Sequence, residues 1–414
     1  MRVAVVGSGI AGVVAAHQLD GQVEEVVLFE ADARIGGHTD THSIFSRGRT
    51  QAVDSGFIVF NRHNYPGFAA WLDDLGVATH PTEMSFGVRN LETGLEYGTR
   101  SANAVFCQRG NLTSIRFLQM LRDLRRFYRR AAQYGTDDEL TLAQLLRREG
   151  YGEGFVTDHL VPMCGALWSL PAQEVDRISA AHVIAFMEQH RMLQLSGRPQ
   201  WRVVTGGSAQ YLHAFRGCFG GSIWTADPVT AVRRGSAGVE ITSRSGVHRF
   251  DAVVMACHSD QALALLSDPS RQENEILGAI DYQQNRVVVH SDECVMPRRR
   301  AAWSSWNALV ADRGAEVCQV TYWMNLLQGI PGDQNFFVTL NPHEPLRDVW
   351  SERRYAHPVF TTAALAAQRR WAEINGVRNT YYCGAYWGWG FHEDGFASAT
   401  SAVDALVRRW ADAA

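Results

Sequence analysis

The chain has 414 residues, 46% of them hydrophobic and 20% charged, with a formal net charge of −4; that is too long for one ordinary core, so two interwoven domains of a packed globular protein are expected. The slight acidity excludes a nucleic-acid partner held by bulk charge, and no apolar run reaches the roughly 18–20 residues that span a bilayer. The seven cysteines (Cys107, Cys164, Cys218, Cys257, Cys294, Cys318, Cys383) are scattered and never paired as C-x-x-C, which argues for reduced thiols, a cytoplasmic setting and no zinc or other metal site.

The first residues already form a strand, with no basic leader or cleavage site before it. Arg2-Val3-Ala4-Val5-Val6 suits a strand buried on both faces of a parallel sheet. Gly7-Ser8-Gly9-Ile10-Ala11-Gly12 follows at once, and residues 13–19 read as a helix. Gly7 permits the tight turn, Gly9 lets backbone approach a pyrophosphate, and Gly12 lets helix and strand pack closely. The pyrophosphate would lie on the helix N-terminus beside Ile10 and Ala11, where free N–H groups and the dipole favour an anion. A second strand, Glu25-Val26-Val27-Leu28-Phe29, ends at Glu30, with Ala31 beside it. The Glu30 carboxylate is placed to accept ribose hydroxyls at the expected spacing from the glycines.

Glu30-Ala31-Asp32-Ala33-Arg34-Ile35-Gly36-Gly37-His38 resembles the E-x-x-x-R-x-G-G continuation of the amine oxidase, phytoene desaturase and protoporphyrinogen oxidase superfamily of flavoproteins. The resemblance implies FAD as cofactor, with Arg34 and the Gly36-Gly37 backbone near its diphosphate. His38 stands where many relatives carry arginine, as a further cofactor contact. The stretch from Val53 to Phe60 resembles the superfamily's D-x-G strand, which would bring Gly56, Phe57 and Ile58 beside the flavin. Residues 76–200 turn helical and aromatic-rich. Within them Arg122, Arg125, Arg126, Arg129 and Arg130 fall on one helix stripe. That stripe is open to two readings: docking on anionic phospholipid at the inner membrane face, or a solvated face in a chain without lysine.

The cofactor fold is expected to return at Trp201, where Thr205-Gly206-Gly207-Ser208 resembles a glycine-rich turn opening a helix. Val229 to Val232 resembles the strand that contacts adenine, and Phe250 to Cys257, with Ala256 at its end, the D-x-V-V-x-A strand. Residues 261–375 read as a second excursion, with Phe336 to Leu340 a strand of its sheet. Tyr381 to Tyr386 reads as the last parallel strand. The segment from Glu393 to Ala399 then resembles the superfamily's C-terminal flavin motif, which implies contacts from Ala385, Asp394, Gly395 and Phe396. The helix N-terminus there would stabilise charge on the reduced flavin.

The fold expected is α/β: a Rossmann-type, GR2-like FAD-binding domain (1–75, 201–260 and 376–414) interwoven with an α+β substrate domain (76–200 and 261–375). His392 and Glu393 are the candidate catalytic groups, since they begin the segment that should face the flavin. Glu83, His159 and Tyr211 are further polar candidates. Trp387 and Trp389 could line the flavin or cover a core, and Cys383 reads as a buried thiol.

Gly56-Phe57-Ile58-Val59-Phe60-Asn61, Met84-Ser85-Phe86, Met296-Pro297-Arg298-Arg299, Trp303-Ser304-Ser305-Trp306-Asn307 and Gly390-Phe391-His392-Glu393-Asp394-Gly395 resemble a bacterial branch associated with cyclopropane-fatty-acyl synthase-type methyltransferases and furan fatty acid desaturases. That resemblance implies dehydrogenation or isomerisation of an unsaturated or methyl-branched fatty acyl chain, with a lipid methyltransferase as a partner. Two alternatives stand beside it: a flavin amine oxidase, and a non-catalytic flavin-binding partner of a lipid-modifying enzyme. Many flavin amine oxidases hold a water at flavin N5 with a lysine, and this chain contains no lysine.

Overall fold

The computed structural model describes residues 1–134, 140–168, 172–194, 196–235, 238–311 and 319–412. Its centre is a parallel five-stranded sheet in the order Ser222–Trp224, Glu25–Phe29, Arg2–Val6, Ala252–Met255, Thr380–Tyr382. Val5 aligns with Leu28 on one side and Val254 on the other. Side chains alternate across the sheet, so Val3 and Val5 pack under the Ile10–Leu19 and His392–Ala411 helices. Ala4 and Val6 face the opposite way, onto the three-stranded meander of Val229–Gly235, Gly238–Ser243 and Gly246–Phe250. Strands covered on both sides need apolar residues at every position, which is why Arg2–Val6 is a run of small and branched side chains.

A second, seven-stranded sheet runs Val349–Val359, Asp281–His290, Phe337–Leu340, Gln319–Trp323, Trp306–Val310, Phe86–Asn90, Glu96–Gly98. Helices between residues 102 and 190 form a layer with its own core around Phe117, Phe127, Phe155 and Phe186. Trp201–Val204 does not rejoin the parallel sheet; it pairs with Phe60–Asn61 and Thr79–Pro81 in a small sheet of its own. The chain then enters the Ala209–Cys218 helix, whose Tyr211, Leu212 and Phe215 pack on the parallel-sheet core.

Two expected strands are shorter than their residues suggest. The 53–60 strand stops at Asp54, because Gly56 passes so close to the His38 carbonyl that a Cβ there would sit 1.9 Å from its oxygen. Phe57 N–H donates to that same carbonyl (2.8 Å), which leaves residues 55–59 off the ladder. The last strand is Thr380–Tyr382, followed by a tight turn over Ala385–Trp387. Six cysteines are unpaired thiols; Cys318 lies outside the described residues. Among the described residues no helix is long and apolar enough to cross a membrane, and no cluster suits a metal ion.

Candidate active site

The candidate cofactor cradle is shaped by backbone. A Cβ on Gly12 would stand 1.8 Å from the Gly7 carbonyl oxygen, so only glycine lets this helix start against its strand. A Cβ on Gly9 would meet nothing within 4 Å, so Gly9 borders open space at the helix mouth. The Ile10–Leu19 helix begins there with no side-chain cap and no acid in its first turn. Those N–H groups fit a diphosphate. Ala256, at the end of the neighbouring strand, backs the turn: its carbonyl oxygen lies 3.1 Å from where a Gly7 Cβ would be. Glu30 is fixed at the sheet end by Ser8 N–H (3.0 Å), the Ser8 hydroxyl and Asp32 N–H (2.8 Å). Ala31 lies exposed beside it. Arg34 donates to the Gly37 (2.8 Å) and Thr39 (3.0 Å) carbonyls, so it holds the Gly36-Gly37 loop in shape. Gly37 comes so near Gly9 that its Cβ would be 3.2 Å from the Gly9 Cα. The side chain of Val232 is buried in the core with Val6 and Phe29, while Val229 is only partly buried; any cofactor contact at Val232 is therefore through backbone.

The second helix mouth meets the first. A Cβ on Gly395 would lie 2.6 Å from Ile10 Cγ2, so the helices starting at Ile10 and His392 converge on one place. Phe396 packs beside Gly67, and Ala385 sits in the turn preceding this mouth. Asp394 accepts from Phe391 N–H (2.8 Å) and closes the first turn; burial raises its carboxyl to about 6. The residues present fit FAD: the first mouth would hold the diphosphate and the second would face the ring system.

Beside the second mouth lies a cavity of about 730 Å³ that reaches between the seven-stranded sheet and the helical layer. Its wall nearest His392 carries His38, Gly56, Phe57, Ile58 and His357. Its far wall carries Met84, Phe86, Met120, Leu121, Leu124 and Met163. Among the described residues the wall holds no Asp or Glu, and its one permanent cation is Arg198. Arg198 donates to the Gln194 (2.7 Å) and Met192 (3.1 Å) carbonyls and remains exposed.

The two candidate catalytic residues part company. His392 lines the cavity, stacked on Phe57 at 3.5 Å, with Nε2 shared between the Thr39 hydroxyl (3.1 Å) and the Tyr211 hydroxyl (3.3 Å). Burial pulls its pKa down to about 3, so it is neutral near pH 7 and its contribution is placement. Glu393 turns away from the cavity: its two oxygens accept Gly67 and Phe68 N–H (2.9 Å each), capping the Pro66–Asp74 helix. The Glu393 carboxylate is committed to that helix start, whose first N–H groups lack a cap of their own, and not to the cavity wall.

Tyr211 is fully buried and supports His392 through Thr39. Glu83 is an exposed partner of Arg100 (2.7 Å). Trp389 lines the cavity, whereas Trp387 packs against Ile280 and Tyr386. Cys383 is buried, and burial pushes its thiol well above the ordinary range.

Sequence reading missed His357. Asn285 Nδ2 donates both to the Gln283 carbonyl (3.1 Å) and to His357 Nδ1 (2.9 Å), while its Oδ1 accepts from Asn341 (2.7 Å). His357 Nδ1 is therefore an acceptor, and its proton sits on Nε2. Burial lowers this imidazole to about 4 and keeps it neutral. No local motif marks it, because Asn285 and His357 meet only across paired strands.

Fold and cradle together define a FAD-binding protein built on a Rossmann-like parallel sheet. Residues 10–299 match the model of the flavin containing amine oxidoreductase family, and the chain belongs to that family. A Mycobacterium tuberculosis protein named as a flavin-containing monoamine oxidase, AofH, is 25% identical over 314 residues. That match covers 74% of this chain and 66% of AofH, so the chain spans just under two thirds of its curated relative. Cyclohexylamine oxidase from Brevibacterium oxydans shares the fold with a TM-score of 0.71 at 16% identity, over 99% of both chains. The CLA-producing fatty acid isomerase from P. acnes does so with a TM-score of 0.66 at 15% identity, over 98% of both.

Proposed function

We propose that this protein is a FAD-dependent oxidoreductase that dehydrogenates or isomerises an unsaturated or methyl-branched fatty acyl chain. The observation that carries this reading is the cavity wall: a mainly apolar and aromatic lining around about 730 Å³, no carboxylate among the described residues, and Arg198 as its one permanent cation. An acyl chain buries methylenes along Met84, Phe86, Met120, Leu121 and Leu124, each worth about 0.8 kcal/mol. Its anionic head pairs with Arg198, which is exposed and so needs no desolvation in advance.

Bound FAD supplies a hydride acceptor at the ring end of this cavity. The chain's own groups do the rest. Phe57, stacked on His392, closes one wall against water. His357 offers a fixed N–H beside the ring end, and His392 is locked in place by Thr39 and Tyr211. An ammonium substrate would find no counter-charge on this wall, so an amine would have to enter as its neutral base. Amine oxidation is the reading suggested by the names of the relatives, and the same experiment decides it.

The outer face of the Ile115–Arg130 helix supports delivery from a membrane. Leu121 and Leu124 line the cavity, while Ile115 and Leu118 are exposed, away from buried Phe117, Met120 and Phe127 and in line with exposed Arg122, Arg125 and Arg129. Apolar residues followed by cations along one stripe match an anionic phospholipid surface.

The test is anaerobic mixing of the FAD-loaded protein with long-chain unsaturated fatty acids and, separately, with cyclohexylamine. Bleaching of the flavin by the fatty acids, or a shifted double bond in the recovered lipid, is expected. Bleaching by the amine alone would replace this reading with amine oxidation.

A further inference from the structure

One wall residue of the cavity is set up for a ligand group that no protein atom supplies. The helical stretch that begins at Glu153 widens into a π turn over Val156–Leu160. Such turns are rare and place side chains that a regular helix would misdirect. Asp158 is anchored on one side by Asn90 (2.7 Å) and Arg116 (2.8 Å), and its neighbour His159 lines the cavity.

The hydrogen of the Tyr97 hydroxyl goes to the Asp158 carbonyl (2.9 Å), which can only accept. Toward His159 Nδ1, 2.8 Å away, that hydroxyl must therefore accept, and the imidazole carries its hydrogen on Nδ1. Burial lowers the ring's pKa to about 4, and the nearby positive charge of Arg198 acts in the same direction. The ring is neutral near pH 7, and Nε2 is a bare lone pair. His159 is 4% exposed, and this Nε2 has no hydrogen-bond partner among the described residues. Its ring neighbours are Phe86, Phe155 and Tyr97, and the one Tyr97 hydrogen is already committed.

A buried acceptor with no donor is costly to leave so; this Nε2 is itself shielded from the cavity, and it is satisfied when a ligand entering there parts the neighbouring side chains and brings the donor. Arg198 nearby repels an ammonium, and among the described residues the wall offers no carboxylate to offset the desolvation of a cation. We propose that His159 is a recognition site for a neutral hydrogen-bond donor, a hydroxyl or an amide N–H, carried on the apolar chain that fills the cavity. This rests on the cavity being the ligand site, and it adds that the ligand bears a polar donor along its chain as well as an anionic head.

The experiment titrates the FAD-loaded protein with dodecanol, with dodecanamide, and with a methyl ether of the same chain length that lacks a donor, following the flavin spectrum. The unaltered protein is expected to prefer both donors to the ether by about tenfold, the size of one net hydrogen bond. His159→Phe is expected to abolish that preference while leaving ether affinity unchanged. Equal binding of donors and ether by the unaltered protein, or a preference that survives His159→Phe, would overturn the assignment. Should His159→Phe lose its FAD, Tyr97→Phe carries the test: it removes the group that holds the Nδ1 proton, and the preference is expected to weaken. A preference that survives it overturns the assignment equally. The readout is binding, so a donor preference without acyl turnover leaves this site standing and defeats the acyl reading alone.

Discussion

Glu393 and His392 are neighbours in sequence at a helix start, yet one lines the cavity and the other serves a different helix. The difference lies in what stands within reach. The Pro66–Asp74 helix begins at Tyr65 with no side-chain cap of its own, and the Glu393 carboxylate takes the Gly67 and Phe68 N–H groups, which have no partner within the helix. Replacing Glu393 with alanine is expected to cost about 1 kcal/mol of stability, the usual value of a helix cap, and to leave flavin reduction by substrate within about twofold. Calorimetry and stopped-flow absorbance check the two halves; a loss of reduction at unchanged stability would return Glu393 to the chemistry. The imidazoles teach the same lesson. His159 and His357 are equivalent by composition, but Tyr97 makes one an acceptor and Asn285 makes the other a donor.

At the scale of elements, the Ile115–Arg130 helix shows how far periodicity carries. Its pattern separates a buried side, where Phe117, Met120 and Phe127 sit, from a charged one. The five arginines do not form one uniform stripe. Arg126 lies over the Tyr151 ring at 3.9 Å, near Asp123 (3.6 Å), so it is a packing residue. Arg122, Arg125 and Arg129 are exposed and continue the line of Ile115 and Leu118. Changing those three arginines to serine is expected to weaken binding to vesicles rich in anionic phospholipid by more than about tenfold, since each basic side chain near such a surface is worth ~1 kcal/mol. Co-sedimentation at low salt measures it, and unchanged pelleting would leave this face merely solvated. Among the strands, Arg2–Val6 and Glu25–Phe29 were legible because two-sided burial demands unbroken apolar runs. The 53–60 segment misled for the same reason: Phe57, Ile58 and Val59 are apolar because they line core and cavity, although residues 55–59 lie off the ladder.

Across the whole molecule, burial of ionisable groups sets a pH dependence with a definite sign. Burial lowers His38, His159, His290, His357 and His392 below the ordinary imidazole value, four of them to about 3 or 4. Between pH 6.5 and 4 the unfolded chain binds protons at these positions that the folded chain refuses. Stability therefore falls as pH falls, by up to about 1.4 kcal/mol per pH unit for each imidazole. Asp54 and Asp394, both raised to about 6 by burial, act oppositely over the same range. Two carboxyls do not offset five imidazoles. The thermal midpoint, measured with excess FAD, is expected to drop steadily from pH 7 to pH 5; a flat or rising profile would contradict neutral burial of these rings.

The cofactor fold could be read from the chain alone because its needs are local: a glycine turn, a helix mouth and an acidic strand end fall within thirty residues and depend on backbone geometry. The family's remaining motifs are short segments of the same kind. What fills the cavity wall is different. His159 meets Tyr97, Asn285 meets His357, and Glu393 meets Gly67 across separations of 62, 72 and 326 residues. Protonation, tautomer and direction at such places are set by whichever partner the packed elements bring within three ångströms. No spacing along the chain encodes that partner, so only the tertiary structure decided which polar groups are left for a ligand.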